Sequence, residues 1–249
     1  MRTLFISDLH LSHHSPAITS GFFNFLKTQS ATADRLYILG DFFDAWIGDD
    51  FNDPLIQQIK TALAELAARC PIYFLHGNRD FLLGNRFAAE TGIQLLPETE
   101  VVDLDGRRAL LMHGDSLCTQ DLEYMKFRAM VRNPAWQQQV LSLPLAQRIQ
   151  MAADLRNKSK SMNAMKAEDI MDVTPEEVAK VMTANGVDLL IHGHTHRPAR
   201  HTLTVDNAPA ERWVLGDWGN TGWYLEAENG ALNLIQFDLV TLNPVKVVA

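Results

Sequence analysis

Cysteine is scarce in this 249-residue chain. The two that occur, Cys70 and Cys118, are too few for a disulfide framework and too far apart for a zinc-binding pair. Such a chain relies on core packing and suits a reducing compartment. Long apolar runs are missing as well: no stretch approaches the roughly 20 residues needed to span a bilayer. The chain enters a strand-like run at Thr3 without the basic-then-apolar leader of a secreted protein. Internal repeats and low-complexity tracts are absent. Positive charge is in short supply, with 22 Lys and Arg against 30 Asp and Glu and a net charge of −8. That balance argues against a nucleic-acid partner.

What is present fits a globular protein. The apolar fraction is 47% and the charged fraction 21%, and the length suits one large domain or a domain with an inserted subdomain. The charge is uneven. Between Asp121 and Lys166 eight basic residues face three acids, so that segment is +5 and the rest of the chain −13. Asymmetry of this kind points to a part of the molecule that meets an anionic partner.

The most informative stretch runs from Leu36 to Asp50. An apolar run stops at Gly40 and delivers Asp41, and Asp44, Asp49 and Asp50 follow in the loop. So many carboxylates at one strand end are costly to fold unless a cation or acid–base chemistry uses them. The same construction recurs. Arg2 to His10 reads as a strand ending in Asp8 and His10, Ile72 to Leu75 ends at His76-Gly77-Asn78-Arg79-Asp80, Arg108 to Met112 ends at His113-Gly114-Asp115, and Val187 to Ile191 ends at His192-Gly193-His194-Thr195-His196. Helical spacings over Ile18 to Lys27, Pro54 to Arg69 and Phe87 to Thr91 alternate with the first strands and predict an α/β core. In open α/β sheets the ligand crevice lies at the carboxyl ends of the strands, where all five polar clusters fall. After Arg200 short strands are expected at Trp213 to Leu215, Gly222 to Glu226 and Leu232 to Phe237, the last two joined by an Asn229-Gly230 hairpin turn. They suggest a second sheet packed on the first.

The segment from Asp121 to about Met171 has no strand-like run, and Pro134 and Pro144 divide it into helices. It reads as a helical insertion over the crevice, a cap spanning 121–171 within a single domain of 1–249. Ser159, Asn163 and Lys166 share one helix face. Five of the nine methionines lie here with several leucines. An ordinary amphipathic cap with a solvated basic face accounts for that composition. So does an apolar groove with cationic rims, suited to an acyl chain attached to a phosphate.

The strand ends together contribute Asp8, His10, Asp41, Asn78, His113, His194 and His196. Carboxylate, amide and imidazole ligands without thiolates suit Mn²⁺, Fe²⁺ or Zn²⁺ in a reactive rather than a structural site. Two such cations about 3.5–4 Å apart would clamp a phosphoryl group and generate a hydroxide between them, with Asp41 as the natural bridge.

This ordered set resembles the calcineurin-like metallophosphoesterase superfamily. Its motifs stand here as Asp8-Leu9-His10, Gly40-Asp41-Phe42-Phe43-Asp44, Gly77-Asn78-Arg79-Asp80, His113 and Gly193-His194-Thr195-His196. The resemblance implies a four-layer α/β/β/α fold, two packed β-sheets flanked by helices, with the helical segment as a lid. It also implies one metal on Asp8, His10, Asp41 and His196, and a second on Asp41, Asn78, His113 and His194. Arg79 is a departure, because the superfamily usually places a histidine there to protonate the leaving group. Arginine does not release a proton usefully, but it can neutralise a leaving group that departs as a phosphate anion. Pyrophosphate-linked substrates meet that requirement.

Three further stretches, Tyr37 to Asp50, Gly77 to Gly84 and Ile170 to Val173, are similar to the family of UDP-2,3-diacylglucosamine hydrolases of lipid A biosynthesis; the likeness runs from Thr3 to about Pro198. Its members use Mn²⁺ to split the pyrophosphate into UMP and 2,3-diacylglucosamine 1-phosphate. The resemblance implies two Mn²⁺ per chain, hydroxide attack on the UMP-side phosphorus, and Asp41, Asn78, Arg79 and His113 as catalytic residues. Substrate contacts would come from Asn78, Arg79, Asp121, Ser159, Asn163, Lys166 and His194. It further implies peripheral attachment at the cytoplasmic face of the inner membrane of a Gram-negative bacterium. Two rivals stand beside it: a metallophosphoesterase acting on soluble nucleotides or phosphoproteins, and a binding module that keeps the fold without the chemistry. Acylated against deacylated UDP-sugar turnover separates the first, and Mn²⁺ binding the second. His13 and His14 are read as solvated, His76 and His192 as pointing away from the cluster, and His201 carries no signal. Asp44, Asp80 and Asp115 are read as carboxylates orienting imidazoles or Arg79, and Cys118 as a small buried hydrophobe.

Overall fold

The computed structural model describes residues 1–163 and 171–249, with side chains for 1–157 and 171–249. Among the described residues twelve strands form two sheets. The first contains β1 (Thr3–Ile6), β2 (Arg35–Leu39), β3 (Ile72–Leu75), β4 (Gln94–Leu95), β10 (Thr221–Glu228), β11 (Ala231–Asp238) and β12 (Pro244–Val248), in the order β12-β11-β10-β1-β2-β3-β4. The second contains β5 (Thr99–Leu104), β6 (Arg107–Met112), β7 (Leu189–His192), β8 (Ala199–Val205) and β9 (Ala208–Val214), in the order β5-β6-β7-β9-β8. β1, β2, β3 and β4 run parallel, as do β6, β7 and β9. Their carboxyl ends therefore deliver the polar motifs to one edge of each sheet.

Strand alternation builds the layers. Leu4 and Ile6, Leu36 and Ile38, and Ile72 and Phe74 face one core, which packs on α1 (Pro16–Lys27), α2 (Pro54–Ala67) and α3 (Asn85–Thr91). Their neighbours Phe5, Tyr37, Leu39 and Leu75 face the opposite way, into a core shared with Ala109, Leu111, Leu189 and Ile191 of the second sheet. Phe5, Tyr37 and Tyr73 stack side by side along the first sheet's face of that layer, at centroid spacings of 5.2 and 4.7 Å. On its far side the second sheet offers Leu110, Met112 and Leu190 to Val178 and Met182 of α7 (Pro175–Asn185). The architecture is the four-layer α/β/β/α arrangement.

Several sequence expectations need correction. The first strand stops at Ile6 rather than His10, because Asp8 and His10 adopt positive φ values that no strand accommodates. The strands after Arg200 do not form the second sheet by themselves. β10 is apolar on both faces and pairs with β1 (Thr3↔Ala227), extending the first sheet, and β11 and β12 follow it. A β8–β9 hairpin turning at Asp206-Asn207, both at positive φ, joins the second sheet instead. β4, β5, β8, β12 and α7 have no counterpart among the elements expected from sequence.

Between β6 and α7 lie α4 (Leu122–Val131), α5 (Pro134–Leu141) and α6 (Leu145–Asn163). Pro134 occupies the first turn of α5 behind an Asn133 cap that accepts from Ala135 N–H at 2.9 Å, and Pro144 immediately precedes α6. Arg148 anchors α6 to the Asp41 loop. Its guanidinium is 3% exposed and donates to Ile47 O at 2.5 Å and Asp50 Oδ1 at 2.7 Å. Among the described residues no helix is long and apolar enough to cross a membrane.

Candidate metal centre and adjoining cleft

Five motif residues occupy the left-handed region: Asp8 (φ 57°), His10 (50°), Asp41 (51°), His194 (68°) and His196 (56°). For residues other than glycine this costs on the order of 1–2 kcal/mol each, so the surroundings must impose it. The loops do so by bonding to one another. Asp8 N–H donates to Gly40 O (3.1 Å), His10 N–H to Asp41 O (3.0 Å), and Trp218 N–H to Asp8 O (3.0 Å). Side chains complete the lattice, with Arg79 N–H on Asp41 Oδ1 (2.8 Å) and His194 N–H on Asp8 Oδ2 (3.0 Å). The motif glycines permit the close approach. A Cβ on Gly77 would lie 2.1 Å from Asp41 Oδ1, and one on Gly193 would lie 2.3 Å from Asp8 Oδ2.

All seven residues expected as ligands converge. His196 Nε2 lies 3.3 Å from Asp8 Oδ1 and 3.4 Å from His10 Nε2. His113 Nε2 lies 3.6 Å from Asp41 Oδ1, and Asn78 Oδ1 sits between His113 Nε2 (3.1 Å) and His194 Nδ1 (2.9 Å). Two groups have ligand atoms within 4.8 Å of one another, Asp8–His10–His196 and Asp8–Asp41–His113. Asp8 is common to both. His113 Nδ1 is engaged with Leu39 O at 2.8 Å, which leaves Nε2 for the site.

The chemistry of this set fits a divalent cation. Asp8 and Asp41 are 0% and 2% exposed, and Asp8 Oδ1 is buried without a hydrogen bond. Burial pushes His10 and His194 down to about 3, so both rings are neutral and carry lone pairs at physiological pH. Burial, opposed by His113 but reinforced by Asp80 and Asp8, raises Asp41 to about 7. Burial also works against the charge on Asp8 and on His196, but their mutual contact outweighs it. That contact holds Asp8 below the usual carboxylate range and lifts His196 to about 9. Two buried carboxylates among imidazoles, with oxygen and nitrogen donors only, suit Mn²⁺, Fe²⁺ or Zn²⁺.

The flanking carboxylates divide their work differently from the expectation. Asp80, fully buried, accepts from Gly77 N–H (2.7 Å) and Phe42 N–H (2.8 Å), so it braces two loops rather than an imidazole. Asp115 accepts from Tyr124 OH (3.0 Å) and Arg128 Nε (2.9 Å) of α4. Tyr124 in turn lays its ring beside His194 at 5.5 Å, and Arg132 reaches the carbonyls of His76 and Gly77 at 3.1 Å. Sequence spacing offered no signal for Tyr124, Arg128 or Arg132. Asp44 does meet Arg79, at 3.9 Å, and also binds Arg156 of α6. His76 and His192 turn away to Leu83 O and Gly193 O, while His13 and His14 are exposed. Cys118 is buried and its thiol pushed up to about 12, so it is inert.

Arg79 stands at a junction. Its guanidinium lies 3.9 Å from Asp41 Oδ2 on one side and lines a cleft on the other. Beyond Arg79 the cleft walls are chiefly apolar: Trp46, Phe81, Leu82, Trp136, Met151 and Leu155. Asp121 acts as the α4 cap, accepting from Tyr124 N–H at 3.0 Å. Ser159 and Asn163 fall on α6 at positions whose side chains lie outside the described residues, and Lys166 lies outside them altogether.

Solved structures share this fold. The phosphoesterase Yfce of E. coli superposes with a TM-score of 0.50 at 19% identity, covering 100% of this chain and 99% of its own. Vps29 of Entamoeba histolytica, solved with Zn²⁺, does so with a TM-score of 0.50 at 17% identity, covering 100% and 98%. The calcineurin-like phosphoesterase family model matches residues 1–198, so the fold and site define a calcineurin-like phosphoesterase. A UDP-2,3-diacylglucosamine hydrolase of Cellvibrio japonicus is 58% identical over 240 residues, 96% of this chain and 100% of the relative. Its namesakes in Pseudomonas aeruginosa and Serratia proteamaculans are 53% and 51% identical over 229 and 238 residues; they cover 92% and 95% of this chain, and 95% and 99% of themselves. Within the calcineurin-like phosphoesterases, the chain belongs to the UDP-2,3-diacylglucosamine hydrolase family.

Proposed function

We propose that the protein hydrolyses the pyrophosphate of UDP-2,3-diacylglucosamine, giving UMP and 2,3-diacylglucosamine 1-phosphate, with two Mn²⁺ bound by the strand-end cluster. The observation that carries this reading is the order of the site: a carboxylate–imidazole cluster, then Arg79, then an apolar cleft. A substrate in which a pyrophosphate joins a diacylated sugar has the same order. Asp8, His10, Asp41 and His196 would hold one cation, and Asp41, Asn78, His113 and His194 the other. When bound, the cations supply charge neutralisation and an activated water. Arg79 lies where a guanidinium can pair with a phosphate that leaves as an anion. Its backbone N–H on Asp41 fixes where the side chain starts. Water entering at the uridine-side phosphorus breaks that atom's bond to the bridging oxygen, which leaves with the sugar 1-phosphate and needs no general acid.

The 121–171 segment acts in this reading as a cap that seats the acyl chains, with Asp121, Ser159, Asn163 and Lys166 as the contacts to sugar and phosphate. Exposed Leu122, Met130, Leu141 and Ile149 on its helices support peripheral contact with the cytoplasmic membrane surface. The deciding experiment is Mn²⁺-dependent turnover of UDP-2,3-diacylglucosamine in detergent and ¹⁸O-water, with products resolved by mass. Label in UMP is expected. Label in the sugar phosphate would reverse the role of Arg79, and no turnover with simple phosphodiesters still cleaved would refute the lipid substrate.

A further inference from the structure

The region after Arg200 carries no distinctive motif, and the family model ends at residue 198. Yet the loop after β9 brings one carboxylate to the cluster. Asp217 Oδ2 lies 3.6 Å from His196 Nδ1, on the side of the ring opposite the Nε2 that faces Asp8. The loop is anchored on both sides of this residue. Leu215 N–H bonds His192 O at 2.8 Å, and Trp218 N–H bonds Asp8 O at 3.0 Å. Trp218 is itself 2% exposed and donates its indole N–H to Trp223 O at 2.9 Å. Gly216 lets the loop lie against the Trp223 ring, where a Cβ would come within 2.5 Å. Asp217 is thus set beside His196 by two bonded neighbours, one of them bonded to the Asp8 loop.

We propose that Asp217 is a positioning residue for His196 at the candidate metal centre. Its carboxylate, 3.6 Å away, is one small side-chain movement from hydrogen-bond range of Nδ1–H, and that bond would leave the Nε2 lone pair facing Asp8 and His10. Imidazoles that bind metals characteristically use their second nitrogen in this way, which fixes tautomer and ring angle together. His196 needs such support more than a strand residue would, since its backbone sits at φ 56° and its ring is 38% exposed. His10, the other imidazole of the group, has a buried Nδ1 with no hydrogen-bond partner among the described residues, so a carboxylate backs one ring of that pair and not the other. The inference rests on the metal-centre reading and not on the identity of the substrate.

The test is Mn²⁺ alone, titrated into the EDTA-stripped full chain and followed by the electron paramagnetic resonance of free Mn²⁺. Asp217→Asn and Asp217→Ala should each weaken binding by about tenfold, the lower end for such partners because the carboxylate is half-exposed, and Asp217→Glu should recover most of it. All three should melt in EDTA at the wild-type temperature. Affinities of Asn and Ala variants within about twofold of wild type, or losses that track a lower melting temperature in EDTA, would overturn the proposal. A wild-type chain that takes up no Mn²⁺ would overturn it together with the metal-centre reading. Failure of the lipid substrate alone leaves this readout untouched.

Discussion

Replacing Asp80 with alanine tests how the two loops carrying Asp41 and Asn78 are held in register. Asp80 is fully buried, and its oxygens are divided between Gly77 N–H at 2.7 Å and Phe42 N–H at 2.8 Å. Alanine leaves both donors buried without an acceptor. A hydrogen bond to a charged group contributes about 1.5–3 kcal/mol, so losing two costs about 3–6 kcal/mol. One effect opposes the loss. Asp80 ranks after burial and His113 among the influences on Asp41, and it repels that carboxylate. Its removal relieves part of the repulsion, which places the net cost toward the lower end, about 3 kcal/mol. At about 2–4 °C per kcal/mol for a chain of this length, the metal-free protein should melt roughly 6–12 °C lower. Activity should fall further than stability, because the same bonds set Arg79 against Asp41. Asp80→Asn has one acceptor oxygen and turns an amide N–H toward a backbone N–H, so it should recover less than half of the loss. Melting in EDTA, checked by urea denaturation, provides the measurement. A shift within about 2 °C for Asp80→Ala would show that the two N–H groups find other acceptors and would refute the reasoning.

Two further outcomes follow from the site. Ligation needs Asp41 and His196 unprotonated, and burial with neighbouring acids raises Asp41 to about 7 while the Asp8 contact, against burial, lifts His196 to about 9. Mn²⁺ affinity should therefore climb as pH rises through 7 toward 9, by up to about tenfold per unit for each proton released. Asp41 should account for the rise up to about pH 7 and His196 for the rise above it, the second part damped because His196 is 38% exposed and screened by solvent; isothermal titration at pH 6 to 9 checks it, and a flat affinity contradicts it. Trp136 lines the apolar end of the cleft, and Trp136→Ala removes about 1.5–3 kcal/mol of apolar contact. KM for the diacylated substrate should rise about 10–100-fold, with kcat/KM for a deacylated UDP-sugar unchanged; an equal rise for both would place the acyl chains elsewhere.

The residues legible from sequence share one property: each follows an apolar run that ends in glycine or at a strand tip. Asp41 after Leu36–Gly40 and His194 after Leu189–Gly193 announce themselves because the run has a strand's length and its last residue has a ligand's chemistry. The same logic located β2, β3, β6 and β7. It fails wherever the carrier is not a buried strand. β5 and β8 lie at the sheet edge with half-exposed faces, so their apolar content is too thin for a strand reading. Their turns, Asp105-Gly106 and Asp206-Asn207, were the available signal, since both pairs adopt the positive φ of tight hairpins. α7 was likewise marked at both ends, by Pro175 in its first turn and by Gly186 in the left-handed region. Tyr124 and Asp217 are harder cases. One sits on a helix of weak amphipathicity, the other in a loop between β9 and β10, and each matters only because the fold carries it to an imidazole. No local pattern encodes that meeting. It depends on β10 pairing with β1 and so closing the Trp218 loop over Asp8, a long-range contact that periodicity along the chain does not express.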